Sequence, residues 1–279
     1  MELMRIMNTA ISIQKTISTG DVFRRVLCLG ITLAALSAFS PTCSFAAEFS
    51  VNPTSLELSG GAKSGVFSVV NSGSDKLNCQ IEGKDWAQDA NGKDMYWDTK
   101  DIVFFPKIMT VEPNEQRAIR IGFKAPPGQK EKTYRIFVEE IPTQKKAAEG
   151  TKSSKITAGL TIAFRYAMPI FVKPTRPQES GIIDTIGLSG DVVSAVVKNT
   201  GTIHLKLLKV IFRGKAIDGA ELFSQDVSGW YVLQGVSRRY EANVPKDLCK
   251  KLATIEVDAQ AENIVLNGKL NVQRNMCAP

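Results

Sequence analysis

The sequence predicts an all-β protein made of two β-sandwiches that follow a removable N-terminal segment. Three observations carry this prediction: an apolar N-terminal run, many short alternating segments bounded by turn residues, and a proline-containing connector near the middle of the chain. No segment shows a convincing helical period, and short strands at this spacing favour antiparallel sandwiches. With 279 residues, 43% of them hydrophobic, the chain can form more than one core.

Residues 1–46 are expected to be a cleaved secretory signal peptide. Arg24 and Arg25 precede the uncharged apolar run Val26–Phe39, and small residues lie three and one positions before the expected cleavage site. The apolar run is shorter than the ~20 residues that a membrane-spanning helix needs, so stable membrane insertion is not expected. The mature chain would then begin at Ala47 and be exported.

The first predicted domain covers residues 47–174 and consists of short segments rich in β-branched and aromatic residues. Its last segment, residues 160–174, alternates most clearly. One face of that segment carries Leu160, Ile162, Phe164, Tyr166 and Met168. Alternation reveals an apolar face but not what covers it, so both the domain's own core and a partner remain open. The polar stretch before it, Thr143–Lys155, is expected to be a surface connection.

The second predicted domain covers residues 175–279. It follows a stiff connector, Lys173–Gly181, which has two prolines after Lys173. A weak internal repeat links the two halves, because residues 67–83 and 194–210 each contain a strand, an Asn-polar-Gly turn and another strand. We therefore expect two similar sandwiches joined by an elbow.

Cysteine content and charge narrow the functional class. Cys79, Cys249 and Cys277 remain after cleavage, and we expect Cys249 to pair with Cys277 because both lie in the C-terminal half. Cys79 is expected to be a lone buried thiol. No metal-ligand spacing is visible, so neither a metal nor a cofactor is predicted. The formal net charge of +7 is scattered, without the basic stripe that nucleic-acid binding requires.

An enzyme is not predicted. His204 is the only histidine, and it lies in an apolar segment where a hydrogen-bonded or surface histidine is the expected interpretation. Glu139 and Glu140 are adjacent on a predicted strand, so their carboxylates point to opposite faces and cannot flank one substrate bond. No glycine-rich phosphate loop follows a strand and opens a helix.

Five segments, taken in order, form a specific set: FSVNPTSLEL, VNSG, VEPNEQRAIRIGF, TYRIFVEEIP and FRYAMPIFVKP. This set resembles the PapD-like periplasmic chaperones of chaperone–usher pili, most strongly from about Phe49 to Pro174. The resemblance implies two immunoglobulin-like domains in an L or boomerang arrangement. It also implies a periplasmic location, pilus or fibre subunits as partners, and their delivery to an outer-membrane usher. The alternative function is a secreted two-domain immunoglobulin-like structural or adhesive binding protein.

The resemblance further implies a donor strand. In this family the last strand of the first domain is lent to a subunit that lacks its own final strand, and its apolar residues fill the subunit's groove. The central donor residues would be Leu160, Ile162 and Phe164, with Ile156 and Tyr166 on the flanks. Such a stripe left uncovered is an aggregation liability, so the free protein could instead cap it by forming a homodimer.

Two charged sites follow from the same resemblance. The best-known family members hold the subunit's terminal carboxylate with an arginine and a lysine, but Ser55 and Pro169 occupy those positions here, which resembles the archaic branch of the pathway. The candidate replacements, in order of preference, are Arg135, Arg165 and Arg120. The family often links its domains by a salt bridge, and Glu131 and Lys173 occupy the matching positions.

Overall fold

The structure is a computed structural model that describes residues 49–59, 62–124, 128–142 and 163–277. The expected signal peptide, the Thr143–Lys155 connection and the donor residues Ile156, Leu160 and Ile162 lie outside the described residues. Within the described ranges, no helix has the length and apolar character that a membrane span requires.

In the residues that the structure describes, the first sandwich contains ten strands. They are β1 (Phe49–Asn52), β2 (Leu56–Leu58), β3 (Ser64–Asn71), β4 (Leu77–Gln88), β5 (Asp94–Asp98), β6 (Ile102–Phe105), β7 (Ile108–Val111), β8 (Gln116–Phe123), β9 (Lys132–Glu140) and β10 (Arg165–Val172). One sheet has the order β1-β3-β8-β6, and the other has the order β2-β10-β9-β4-β5, with β7 also pairing with β4. Alternate residues point between the sheets, so Phe67, Ile119 and Ile136 form a fully buried core.

Within the described residues, the second sandwich ends in a 3₁₀ turn (Arg274–Cys277) and contains eight strands and one α-helical turn. They are β11 (Gly181–Ser189), β12 (Val192–Asn199), β13 (Leu205–Lys215), β14 (Glu221–Ser228), β15 (Tyr231–Val232), β16 (Ser237–Asn243), α1 (Lys246–Cys249), β17 (Thr254–Ala261) and β18 (Val265–Asn271). The sheets have the orders β11-β12-β16 and β14-β13-β17-β18, and β15 pairs with β13. Phe212, Ile255 and Val257 lie in a separate core between them.

The cysteines lie as the sequence predicted. Cys249 and Cys277 form a disulfide that joins α1 to the segment after β18. Cys79 is a free, fully buried thiol on β4. Its burial raises its pKa to about 12, with a further contribution from Glu140, so the thiol stays neutral and packs as a small apolar group.

The internal repeat corresponds to a matched pair of turns. Asn71 ends β3 and is 1% exposed. Its side-chain amide donates to the carbonyls of Asp75 (2.8 Å) and Val111 (3.0 Å), and its side-chain oxygen accepts from the amide of Gly73 (2.9 Å). Asn199, which ends β12 and is equally buried, makes three bonds of the same kind in the second sandwich. Each asparagine therefore satisfies backbone groups that a buried turn would otherwise leave unpaired.

Candidate functional site: the open edge of β10 and its surroundings

The apolar stripe that ends the first sandwich divides into two parts. Its C-terminal members lie in the sandwich's own core, at 3%, 0% and 6% exposure: Met168, Ile170 and Val172. Tyr166 is partly buried, and its hydroxyl donates to the carbonyl of Phe49 at 3.0 Å while the two rings meet edge to face. Phe164, the outermost described member, is 36% exposed. The same face thus changes from core to surface between Met168 and Phe164.

β10 has one edge that is only partly paired. On one side β9 pairs with it from Arg165 to Val172, whereas on the other side β2 pairs in parallel only with Ile170–Val172. Among the described residues no strand therefore pairs with that second side from Arg165 to Pro169. This half of β10 is an open strand edge, which can accept another strand by backbone hydrogen bonding.

The alternation of hydrogen bonds shows which residues face the open edge. The carbonyl of Phe164 accepts from the amide of Glu140 on β9 at 2.9 Å, and the amide of Lys173 donates to the carbonyl of Leu58 at 2.8 Å, on the side of β2. Since partners in an antiparallel ladder alternate, even-numbered residues of β10 face β9 and odd-numbered ones face away from it. The backbone groups of Arg165 and Ala167 accordingly point to the open edge.

Arg135 lies beside this edge and is almost fully buried. It lies on β9 as the register partner of Pro169 on β10, and its side chain is 4% exposed. Its Nη1 donates to the carbonyl of Ala167 at 2.8 Å, and its guanidinium lies 3.9 Å from the centre of the Trp86 ring. Burial lowers the pKa of Arg135, although the nearby Asp94 carboxylate, 3.8 Å from Nη2, opposes that shift. Among the described residues, Nε and Nη2 have no hydrogen-bond partner.

The other two candidate arginines lie in different places. Arg165, on the outer face of β10, is half exposed, lies 3.2 Å from a Glu139 oxygen and stacks over the Phe137 ring at 4.1 Å. Arg120 is exposed on β8 in the other sheet, opposite Phe105. The structure therefore brings Arg135 and Arg165 to the outer face of one sheet and does not bring Arg120 to the open edge.

The predicted Glu131–Lys173 salt bridge is wrong. The Glu131 carboxylate, 1% exposed, accepts from the backbone amide of His204 at 2.8 Å and lies 2.9 Å from its Nδ1, while the His204 ring stacks on Phe171 at 3.6 Å. Lys173 pairs with Glu57 at 2.5 Å, because the parallel pairing of β2 places that carboxylate beside the end of β10. His204 is thus a hydrogen-bonded histidine that joins the two sandwiches.

A second contact between the sandwiches was not anticipated from the sequence. Trp86, Phe171 and Leu233 form a buried cluster that is separate from both cores. Gln88 fixes it, donating to the carbonyl of Tyr231 at 3.0 Å and accepting from the amide of Leu233 at 2.9 Å. The available signal was Trp86 itself, because its position on β4 places a large aromatic ring on the face opposite the sandwich core.

These two cores, their antiparallel sheets and the contact between them define a two-domain immunoglobulin-like protein. Residues 48–178 match the family described as "Pili and flagellar-assembly chaperone, PapD N-terminal domain". The first sandwich therefore matches the PapD N-terminal domain family of pilus assembly chaperones, and the resemblance predicted from the sequence is confirmed over this part of the chain.

Solved chaperone structures share this fold. One is the CsuC–CsuE chaperone–tip adhesion subunit pre-assembly complex from archaic Csu pili of Acinetobacter baumannii, with 17% identity and a TM-score of 0.53 over 79% of this chain and 98% of that chain. Another is the YadV chaperone, with 15% identity and a TM-score of 0.52 over 81% of this chain and 100% of that one. At these identities the likeness concerns the fold. A search among curated protein sequences found no significant relative.

Proposed function

We propose that this protein is a periplasmic, non-enzymatic chaperone that folds and caps pilus subunits by donor-strand complementation and delivers them to an outer-membrane usher. The open edge of β10 is the observation that carries this proposal. Within the described residues no strand pairs with this side of β10 from Arg165 to Pro169, whereas β9 pairs with its other side along the whole strand. A rigid strand with one free edge provides half of the ladder that an incomplete subunit needs. The similar CsuC fold was determined with a tip adhesion subunit, which supports a partner of this kind.

Side chains supply the second part of the proposed interaction. Phe164 is partly exposed, and the period of two in the sequence predicts that Leu160 and Ile162, which precede it, belong to the same face. Ile156 and Tyr166 would flank them, with Tyr166 already resting against its own core. If three large side chains are buried at ~1.5 to 3 kcal/mol each, they contribute several kcal/mol to holding a subunit.

For a subunit's terminal carboxylate, Arg135 is our first candidate. Its Nε and Nη2 are buried and have no hydrogen-bond partner in the part of the chain that the structure describes, so a carboxylate that reached them would satisfy two donors at once. With a side chain only 4% exposed, it could be reached only after local movement. Arg165 is the second candidate, since it is more exposed but already lies near the Glu139 carboxylate.

The test replaces Ile162 and Phe164 together by aspartate. In a subunit's groove an unpaired carboxylate costs several kcal/mol, so co-purification with coexpressed pilus subunits should be lost. The matched control places two aspartates on the opposite face of the same segment, at Thr161 and Ala163, and should retain capture. Thermal unfolding is measured in parallel. Loss of the folding transition in the Ile162→Asp, Phe164→Asp protein would show that this face belongs to the chaperone's own core and would overturn the proposal.

A further inference from the structure

The open edge of β10 ends at one register pair, Pro169 on β10 and Arg135 on β9. Pro169 faces the open side and has no backbone N–H, so this position cannot donate to an added strand. Two residues earlier, the carbonyl of Ala167 is already occupied by Nη1 of Arg135 at 2.8 Å. Between the open half of β10 and the half that pairs with β2 from Ile170 onward, the edge therefore lacks the N–H donor of Pro169. The Ala167 carbonyl there already accepts a hydrogen bond.

Arg135 is held firmly at this end of the open edge. Its guanidinium stacks on Trp86 at 3.9 Å and is buried to 4% exposure, so its position is fixed by packing as well as by the hydrogen bond. Pro169 is itself buried. Moving this side chain away from the carbonyl would have a cost, because the buried guanidinium would lose the one hydrogen bond that it makes to the described residues.

We propose that Arg135 and Pro169 form an edge stop, which ends the usable edge of β10 at Ala167 and limits how far a second copy of this chain can pair with it. The proposal rests on the open edge that also carries the proposed function. Exposed edges are otherwise templates for pairing between copies, and proline and charged side chains are general means of blocking them. Here Arg135 acts by occupying the carbonyl of Ala167.

The test measures reversible self-association of the purified protein by sedimentation over a concentration series. Arg135→Met keeps an apolar side chain against Trp86 but frees the Ala167 carbonyl, and Pro169→Ala restores an N–H. Each restored hydrogen bond should tighten the dimer dissociation constant about two- to tenfold, and the double variant should show the larger change. Arg135→Lys keeps a donor and should remain near the wild-type value.

Lys84→Met is the matched control, because Lys84 is the neighbour of Arg135 on the same face but donates to Asp98 at 2.7 Å. It should leave self-association unchanged. If Arg135→Met does not fold, Pro169→Ala decides the question alone. Unchanged association in Pro169→Ala, or an equal increase in Lys84→Met, would overturn the edge stop. No subunit is present in this experiment, so failure of subunit capture and failure of the edge stop are distinguishable.

Discussion

The two sandwiches share a buried asparagine turn but differ in how their last strands end. In the second sandwich the Asn199 amide donates to the carbonyls of Ile203 and Val232, each at 2.8 Å, which repeats the arrangement around Asn71. The first sandwich ends in β10, half of which has an open edge, whereas the segment after β18 is tied back by a disulfide. The repeated asparagine turn thus maintains the fold of both sandwiches, whereas the open edge of β10 in the first sandwich carries the proposed function.

Removing the disulfide should produce the largest difference in stability between the two sandwiches. Because Cys249 and Cys277 have a sequence separation of 28, replacing both by alanine should destabilise the second sandwich by about 3 kcal/mol. Hydrogen exchange of each sandwich, combined with chemical denaturation, measures this loss. Cys79→Ala, which removes one buried sulfur from the first sandwich, should cost about 1 kcal/mol there. A larger loss of protection in the first sandwich than in the second, after removal of the disulfide, would contradict the prediction.

The asparagine turns should respond alike. Asn71→Ala and Asn199→Ala each remove three hydrogen bonds and leave buried backbone groups unpaired, so each should lower the free energy of unfolding by about 2 to 3 kcal/mol. Asn263→Ala is the control, because its single side-chain bond to Glu179 lies on the surface, and it should change stability by less than about 0.5 kcal/mol. A strong effect in one sandwich and none in the other would show that the turns are not equivalent.

Much of the fold was predictable because it depends on local signals. Alternation identified the strands, and the Asn-polar-Gly pattern identified the repeated turn before its hydrogen bonds were known. The face of the stripe was also predictable, but not the point at which it leaves the core. That point lies between Met168 and Phe164, where Tyr166 packs against Phe49 of the other sheet, and such packing is a tertiary property.

The partners of the charged side chains were less predictable, because they too depend on tertiary structure. Lys173 pairs with Glu57 because β2 runs parallel to the end of β10, and no local sequence pattern predicts this parallel pairing. Arg135 and Pro169 are 34 positions apart, so the sequence does not reveal that they share a register. Residue type and strand face can be predicted from alternation, whereas the partner requires the register.

The contact between the sandwiches should matter less than either turn. His204→Ala removes the ring stacked on Phe171 and one partner of the buried Glu131 carboxylate, so it should cost about 1 to 2 kcal/mol. It should also separate the unfolding of the two sandwiches into two calorimetric transitions. Glu57→Gln removes only the more exposed pair with Lys173 and should cost ~0 to 1 kcal/mol without such a separation. If both variants behave alike, His204 does not couple the sandwiches.

The smallest effect should be a pH dependence of opposite sign in the two sandwiches. In the second, burial would raise the pKa of Asp258, but hydrogen bonds from Arg213 and Asn267 outweigh it and the net pKa is lowered. In the first, burial raises the pKa of Asp85 on β4, with Asp101 adding to the shift and hydrogen bonding to Thr99 opposing it. Both carboxyl groups have an ordinary pKa of 3.8, so their contributions change on opposite sides of that value.

The sign for each carboxyl follows from linkage between protonation and folding. The stability contributed by Asp258 is fully present above pH 3.8 and is lost as the pH falls through the lowered folded value. The cost imposed by Asp85 is present above its raised folded value and disappears as the pH falls through it toward 3.8. Unfolding free energies of Asp258→Asn and Asp85→Asn, measured from pH 7 to pH 3 and subtracted from the wild-type values, isolate each contribution. As the pH falls, the Asp85 difference should become more favourable to folding while the pH is still above 3.8, whereas the Asp258 difference should become less favourable below pH 3.8. Changes of the same sign in both differences would contradict the prediction.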